Sequence, residues 1–309
     1  RRTEPAFAML VALTGSTGFV GRHVAATLLG RGHRVRALVR DLARGSARFR
    51  AEQGIEFVPG HLHDPAALGQ LTHGADAVIH LVGIIIEQGT ATFHGVHVEG
   101  TRALLAAALE ARVPRFVHMS AVGARDEPGA TEYHRTKWQA EELVRGSRLS
   151  HAIFRPSIIS GPESAPIRLL ARLHRWSPVI PVFGDGTFPT QPVWIGDVAV
   201  ALALAAEQPD RVGAFELGGP QVLTYEEFVL AIGRASGYPR PLVHVPLGVV
   251  RAAAGLFDLL GAAAPLTGDQ LQMLVEGSVT PANAIHSVFG IEPLPFEEGL
   301  KRYLGSQGR

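Results

Sequence analysis

Along the first half of the chain, short apolar runs rich in β-branched residues alternate with longer stretches whose apolar positions recur every three or four residues. The short runs predict strands at Leu10–Leu13, Arg34–Val39, Glu56–Val58, Ala77–Val82, Arg115–Met119 and His151–Phe154. The longer ones predict helices near Val20–Arg31, Pro65–Leu71, Gly95–Ala111 and Thr131–Arg145, each apolar on one face. Strand and helix in regular alternation build βαβ units, so an α/β fold with a doubly wound parallel sheet is expected. After Pro156 the alternation stops, and Pro, Gly and Trp mark loops such as Trp176-Ser177-Pro178 and Phe183-Gly184-Asp185-Gly186. Helical patterns at Ile195–Ala206, Tyr225–Ser236, Leu247–Leu260 and Phe296–Leu304 predict a smaller, mostly helical lobe, with one return to the sheet at Ala214–Leu217.

Composition narrows the class. The 309 residues are 46% hydrophobic, enough for a sizeable core. Charged residues nearly cancel, to +1, which leaves no broad basic field for nucleic acid. The absence of cysteine excludes disulfides, thiolate catalysis and cysteine zinc sites. His61 and His63, or His94 and His97, lack a partnering carboxylate pattern, so no metal is expected. The longest apolar stretch, Val249 to Leu266, is broken by Arg251 and Asp258, and a membrane span needs roughly 18 uninterrupted residues. A soluble, cytoplasmic protein follows as the expectation. Arg1 to Ala8, ahead of Met9, lack the apolar centre of a secretory signal and read as an upstream extension.

The loop after the first strand reads Thr14-Gly15-Ser16-Thr17-Gly18-Phe19-Val20-Gly21. Gly15 suits the tight turn, Gly18 lets backbone N–H groups approach a pyrophosphate, and Gly21 allows helix to pack on strand, with the helix N-terminus favouring the anion. A Rossmann dinucleotide-binding domain over residues 9–156 is the reading, followed by a substrate lobe over 157–309. At the end of the second strand stands Arg40, with Arg44 four residues on, where an NAD-preferring protein carries an acidic residue. A guanidinium pairs with a 2′-phosphate through two parallel hydrogen bonds, which favours NADP(H) over NAD(H). The alternative leaves Arg44 as a solvated helix residue and Asp41 as an N-cap. Leu62, and Leu81-Val82-Gly83 at the end of the fourth strand, are further expected cofactor contacts.

Tyr133 and Lys137 are four apart in a helical segment and emerge on one face. A nearby ammonium stabilises phenolate, so the tyrosine pKa is expected to fall toward the range of an acid/base catalyst. With four tyrosines and two lysines in the chain, the spacing arises by accident about 0.03 times. Ser120 closes the fifth strand at the carboxyl edge of the sheet, where such folds bind ligands, and could hold the reacting oxygen. A plain loop or cap serine is the alternative.

Together these motifs resemble the extended and atypical branches of the short-chain dehydrogenase/reductase superfamily, including NmrA-like and NAD-dependent epimerase-like proteins. The resemblance implies a catalytic set of Ser120, Tyr133 and Lys137, with Lys137 also reaching the nicotinamide ribose. It implies that Arg155-Pro156-Ser157 runs beside the nicotinamide and that Gln191–Val198 is the substrate-lobe signature. His118–Ala124 and Phe289-Gly290-Ile291-Glu292-Pro293 are similar to the atypical group that contains the nucleotide-binding accessory subunit of respiratory complex I and its bacterial relatives. His97 stands where the family has an asparagine of a proton relay, and His61 where an aspartate contacts adenine. Two functions are implied: an oxidoreductase or epimerase using Tyr133 as acid/base on a small molecule of unread identity, or a non-catalytic NADPH-holding accessory protein. The stretch Leu247–Leu260, apolar on one face, is expected as a packed helix, its alternatives being a substrate lid or a surface for a membrane or protein complex.

Overall fold

The computed structural model describes residues 8–49, 54–258 and 267–305. In chain order the elements are β1 (Leu10–Thr14), α1 (Phe19–Gly30), β2 (Arg34–Val39), α2 (Leu42–Arg48), β3 (Ile55–Pro59), α3 (Pro65–Thr72), β4 (Ala77–His80), a π-helical turn (His94–Glu99), α4 (Gly100–Glu110), β5 (Arg115–Met119), α5 (Glu132–Gly146) and β6 (Ser150–Pro156). There follow β7 (Ile159–Ser160), α6 (Ala165–Trp176), β8 (Ile180–Phe183), β9 (Pro189–Thr190), β10 (Val193–Trp194), α7 (Ile195–Glu207), β11 (Gly213–Leu217), β12 (Leu223–Thr224), α8 (Tyr225–Ser236), β13 (Leu242–Val245), α9 (Leu247–Asp258), α10 (Gly268–Glu276), α11 (Ala284–Ser287) and α12 (Phe296–Lys301).

Seven strands form one sheet in the order β11-β6-β5-β4-β1-β2-β3. The order reverses at β1, because β1 pairs in parallel with β2 on one side and with β4 on the other. That reversal opens a crevice at the carboxyl ends of the strands, where doubly wound sheets take their ligands. β1, β4 and β5 are buried on both faces, and their apolar centres, Leu10–Leu13, Ala77–Ile79 and Phe116-Val117, reflect it. Two compact units result, one of residues 1–155 and 199–215, the other of 156–198 and 216–309. Residues 199–212, expected in the smaller lobe, thus belong with the first unit. Arg115 shows how they are held: its buried guanidinium donates to the carbonyls of Ala205 (2.8 Å) and Arg211 (2.7 Å), and burial lowers its pKa to about 10.

Four other expectations change. β4 ends at His80 rather than Val82, because Leu81 to Gly83 leave the sheet to lie against the glycine loop and α5. The single helix expected over Gly95–Ala111 opens with the π turn before α4. α2 and α6 were not expected. α6 starts on Ser164-Ala165-Pro166, with proline in its first turn, and buries Ile167, Leu170 and His174 at helical spacing. The predicted helix Leu247–Leu260 is seen as α9 up to Asp258, and its last two residues, like Arg1 to Phe7, lie outside the described residues. The second unit has its own core around Ile167, Ile180, Phe228 and Phe296.

Candidate active site

The loop after β1 turns through Gly15, whose φ of 75° is open to glycine and strained for other residues. Gly18 N–H donates to Gly15 O at 3.0 Å and closes the turn. Gly21 is the tightest point: a Cβ there would stand 2.0 Å from Gly15 O and 2.7 Å from Ser16 Cα. α1 therefore begins directly on the loop, and no acidic residue stands in its first turn to oppose an anion. Thr17, Phe19 and Val20 are half-buried along this entry, Phe19 edge-on to His23.

A buried polar chain fixes the next wall. Leu81 N–H donates to Thr14 Oγ1 (3.3 Å), Thr14 Oγ1 meets His80 Nδ1 (2.7 Å), His80 Nε2 meets Thr101 Oγ1 (3.1 Å), and Thr101 donates to His97 O (2.6 Å). Thr101 spends its proton on that carbonyl, so His80 donates from Nε2 and accepts at Nδ1. Burial lowers the His80 pKa to about 3, so the ring is neutral as this pattern requires. The chain holds Leu81 and Val82 against Gly15, whose Cβ position lies 3.1 Å from Leu81 C and 3.2 Å from Val82 N. Gly83 comes next, and a Cβ on it would stand 3.6 Å from Lys137 Nζ and 3.5 Å from His97 Nε2. Glycine loop, residues 81–83 and α5 are thus brought into one continuous surface.

On α5, Lys137 is buried and donates from Nζ to Met119 O at 2.6 Å, one residue before Ser120. The Ser120 N–H donates to Phe154 O (2.7 Å), while its buried hydroxyl has no partner among the described residues. Tyr133 is half-buried, edge-on to Phe93 and His97 at 5.9 and 5.6 Å. Its phenol departs from the expected direction: burial pushes the pKa up to about 12 rather than down. The ammonium itself is also destabilised, burial lowering Lys137 to about 8 while the Glu141 carboxylate one turn on acts in the opposite sense.

His97 does not take the place of a free relay group. Its Nδ1 meets Thr136 Oγ1 at 3.0 Å and its Nε2 lies 3.1 Å from both N and O of Ile84. Thr136 donates its own proton to backbone carbonyls of α5, so it accepts from Nδ1–H, and Nε2 accepts the Ile84 N–H. Burial and then Lys137 lower the ring's pKa to about 3. Both nitrogens of a neutral ring are used in tying α5 to the segment that follows β4. The π turn that carries it is of the kind that recurs at functional sites.

The remaining expected residues fall as follows. Arg40 is exposed immediately after β2. Arg44 lies in α2, its side chain outside the described set. Leu62 is buried in the main core, and a Cβ on Gly100 would stand 2.7 Å from its Cδ1. Pro156 ends β6, and Ser157 lies in the second unit, where its N–H donates to Leu217 O (2.9 Å) and its hydroxyl to Gln191 O. In the Gln191–Val198 segment, the Gln191 amide accepts from Thr280 N and Oγ1 and donates to Gly219 O, all at 2.8 Å, while Asp197 accepts from Leu294 N. Those side chains hold the second unit's own loops. Glu141 was missed in the sequence, although Tyr133, Lys137 and Glu141 repeat at every fourth position. It is fully buried between Arg145 and Arg155, whose guanidinium groups both lie over the Trp138 ring.

Residues 15–176, from the first glycine of the loop through α6, match the model of a family described as NAD(P)H-binding. The chain belongs to that NAD(P)H-binding family. It is 33% identical to the ceramide reductase of Caulobacter vibrioides over 81% of this chain and 77% of that one. It is 29% identical to the mouse mitochondrial NADH dehydrogenase [ubiquinone] 1 alpha subcomplex subunit 9, over 94% of this chain and 79% of that one. The fold matches the Bordetella bronchiseptica enzyme WbmH, solved with NAD+, at a TM-score of 0.75 and 20% identity over 97% and 98% of the two chains. An NAD(P)-binding Rossmann-type domain is therefore present, and the residues fit a dinucleotide. The cradle excludes any side chain at Gly21, and the buried Ser16 Oγ has no hydrogen-bond partner among the described residues, as a hydroxyl awaiting a phosphate oxygen would.

The lysine supplies a stability test. Lys137 binds its proton less tightly in the fold (about 8) than at its ordinary 10.5. Between those values the unfolded chain holds the extra proton, so stability rises with pH through the window, and the full cost of the buried ammonium is present below it. Urea unfolding of the wild type and Lys137→Met below and above this window is expected to show the wild type gaining on the variant as pH rises. A difference that stays constant removes the buried ammonium.

Proposed function

We propose that the protein is an NADP(H)-dependent oxidoreductase that acts at a carbon bearing oxygen, with Tyr133 giving a proton to that oxygen or taking one from it. The observation that carries the reading is the convergence of Lys137 Nζ on Met119 O and Gly83, between the glycine loop and Ser120. When bound, the nicotinamide supplies or accepts hydride. Gly15 to Gly21 would hold the pyrophosphate, and Arg40 the 2′-phosphate. The Ser120 hydroxyl would orient the reacting oxygen. A phenol pushed up to about 12 keeps its proton at neutral pH and can donate it. Lys137, charged below about 8, favours phenolate once that proton has left. Resemblance to a ceramide reductase supports reduction of a carbonyl on a lipid-like substrate. The experiment is NADPH oxidation with a panel of long-chain ketones, compared between wild type and the Tyr133→Phe variant.

The Arg40 assignment has its own test. Arg40→Asp is expected to lower the ratio of NADPH to NADH affinity by about tenfold or more, since it replaces a charge-assisted pair by repulsion. An unchanged ratio in equilibrium titration puts the 2′-phosphate elsewhere.

A second reading is favoured by one observation. The raised phenol and the engagement of both His97 nitrogens leave a buried, tightly tied helix, which suits a protein that holds NADPH without turning it over. Resemblance to the complex I accessory subunit supports it. NADPH that co-purifies, raises the Tm and is oxidised by no carbonyl or quinone would favour this reading, and steady turnover of any substrate would end it.

A further inference from the structure

α6 turns a patterned face to solvent. Ile167, Leu170 and His174 point into the second unit's core, and the opposite side presents Arg168, Arg172 and Arg175 together with Leu169 and Trp176. Leu169 is 51% exposed and Trp176 77%, the most exposed large apolar side chain among the described residues. The patch continues past the helix. Arg175 lies over the rings of both Trp176 (5.2 Å) and Tyr238 (6.0 Å), Arg240 donates to His174 O (3.0 Å), and Val179 is exposed at the start of β8.

The charged side chains named on this face, Arg168, Arg172, Arg175 and Arg240, are all basic. Neither residues 164–182 nor residues 228–246 contain an aspartate or glutamate. Among the described residues no carboxylate pairs with Arg168, Arg172, Arg175 or Arg240, although arginines elsewhere on the molecule are paired, as Arg234 is with Glu297. Guanidinium groups that could have been neutralised at the surface are thus left without carboxylate partners next to an indole in water. A face of cations with an exposed Trp, a Tyr and aliphatic side chains is what the boundary of an anionic bilayer accepts: the rings and Leu169 enter the headgroup region and the guanidinium groups meet lipid phosphates. No helix among the described residues is long and apolar enough to cross a membrane, so the contact is a surface one. We propose that the outer face of α6, continued by Val179, Tyr238 and Arg240, docks the protein on an anionic lipid bilayer. The surface belongs wholly to the second unit.

The test is co-sedimentation of the full chain with vesicles of phosphatidylcholine alone and of phosphatidylcholine with one third phosphatidylglycerol. Binding is expected to the anionic vesicles only, with release at high salt. Arg172→Glu with Arg175→Glu is expected to weaken it about tenfold or more, and Trp176→Ala, which keeps every charge, to weaken it as well. Arg102→Glu on α4 is the control and should bind like the wild type, as circular dichroism and NADPH affinity should stay unchanged throughout. A wild type that stays in the supernatant with anionic vesicles overturns the proposal, as do α6 variants that sediment like it. Binding of polyglutamate at α6 without vesicle binding would also overturn it and assign the face to an acidic protein.

Discussion

Tyr133→Phe is expected to lower kcat by about 10³-fold while leaving NADPH affinity within about twofold, because a positioned proton donor contributes some 10² to 10⁴ and the ring itself is retained. The asymmetry comes from where the side chain sits. Its ring fills a place edge-on to Phe93 and His97, which phenylalanine preserves, so α5 and Lys137 keep their positions. Only the hydroxyl is lost, and it is the group whose proton burial secures at neutral pH. NADPH consumption against the best carbonyl substrate reads the first half of the prediction, and fluorescence titration of NADPH the second. Equal turnover in the variant removes Tyr133 from the chemistry. Equal loss of affinity and rate would make the phenol part of the cofactor site.

Gly21→Ala is expected to abolish measurable NADPH binding and to cost about 2–4 kcal/mol of stability. A methyl at this position meets Gly15 O at 2.0 Å and the Gly15 carbonyl carbon at 2.7 Å, and both are backbone atoms that no rotamer change can move. Either α1 lifts away from β1 or the loop opens. In both cases the N–H groups around Gly18 no longer converge on one anion. Gly30→Ala, at the far end of the same helix with nothing near its Cβ position, is the matched control and should bind normally. Wild-type affinity in a folded Gly21→Ala protein would mean that the phosphate lies elsewhere.

Much of the first unit was legible because its elements are dictated locally. β2 and β5 have the predicted bounds, and β1, β3 and β6 differ by a residue or two at their ends, because each is a short run of β-branched and other apolar residues bounded by polar or turn residues. The glycine motif was readable for a similar reason, since Gly21 answers to Gly15 and Ser16 and Gly15 to the positive φ of its own turn. α6 could have been read too: Pro166 in its first turn and apolar positions 167, 170 and 173 are helical signals, obscured by the loop residues on either side. The polar chain from Leu81 to His97 was not readable, because Thr14, His80 and Thr101 are far apart in sequence and ordinary singly.

The sign of the Tyr133 shift marks the boundary most clearly. Spacing along α5 determines that Tyr133, Lys137 and Glu141 share a face, and it suggests a phenol eased toward ionisation by its neighbour. Burial alone sets the direction, and it comes from the protein that closes over the ring, Phe93 and His97 among it, some forty residues away. By itself the sequence determined the strand and helix alternation, the glycine turn after β1 and the common face of Tyr133 and Lys137 on α5, since each is a rule between neighbours along the chain. Tertiary structure alone decided the tautomers of His80 and His97, the early end of β4 and the solvent face of α6, because desolvation and hydrogen bonding are sums over everything that surrounds a group in space.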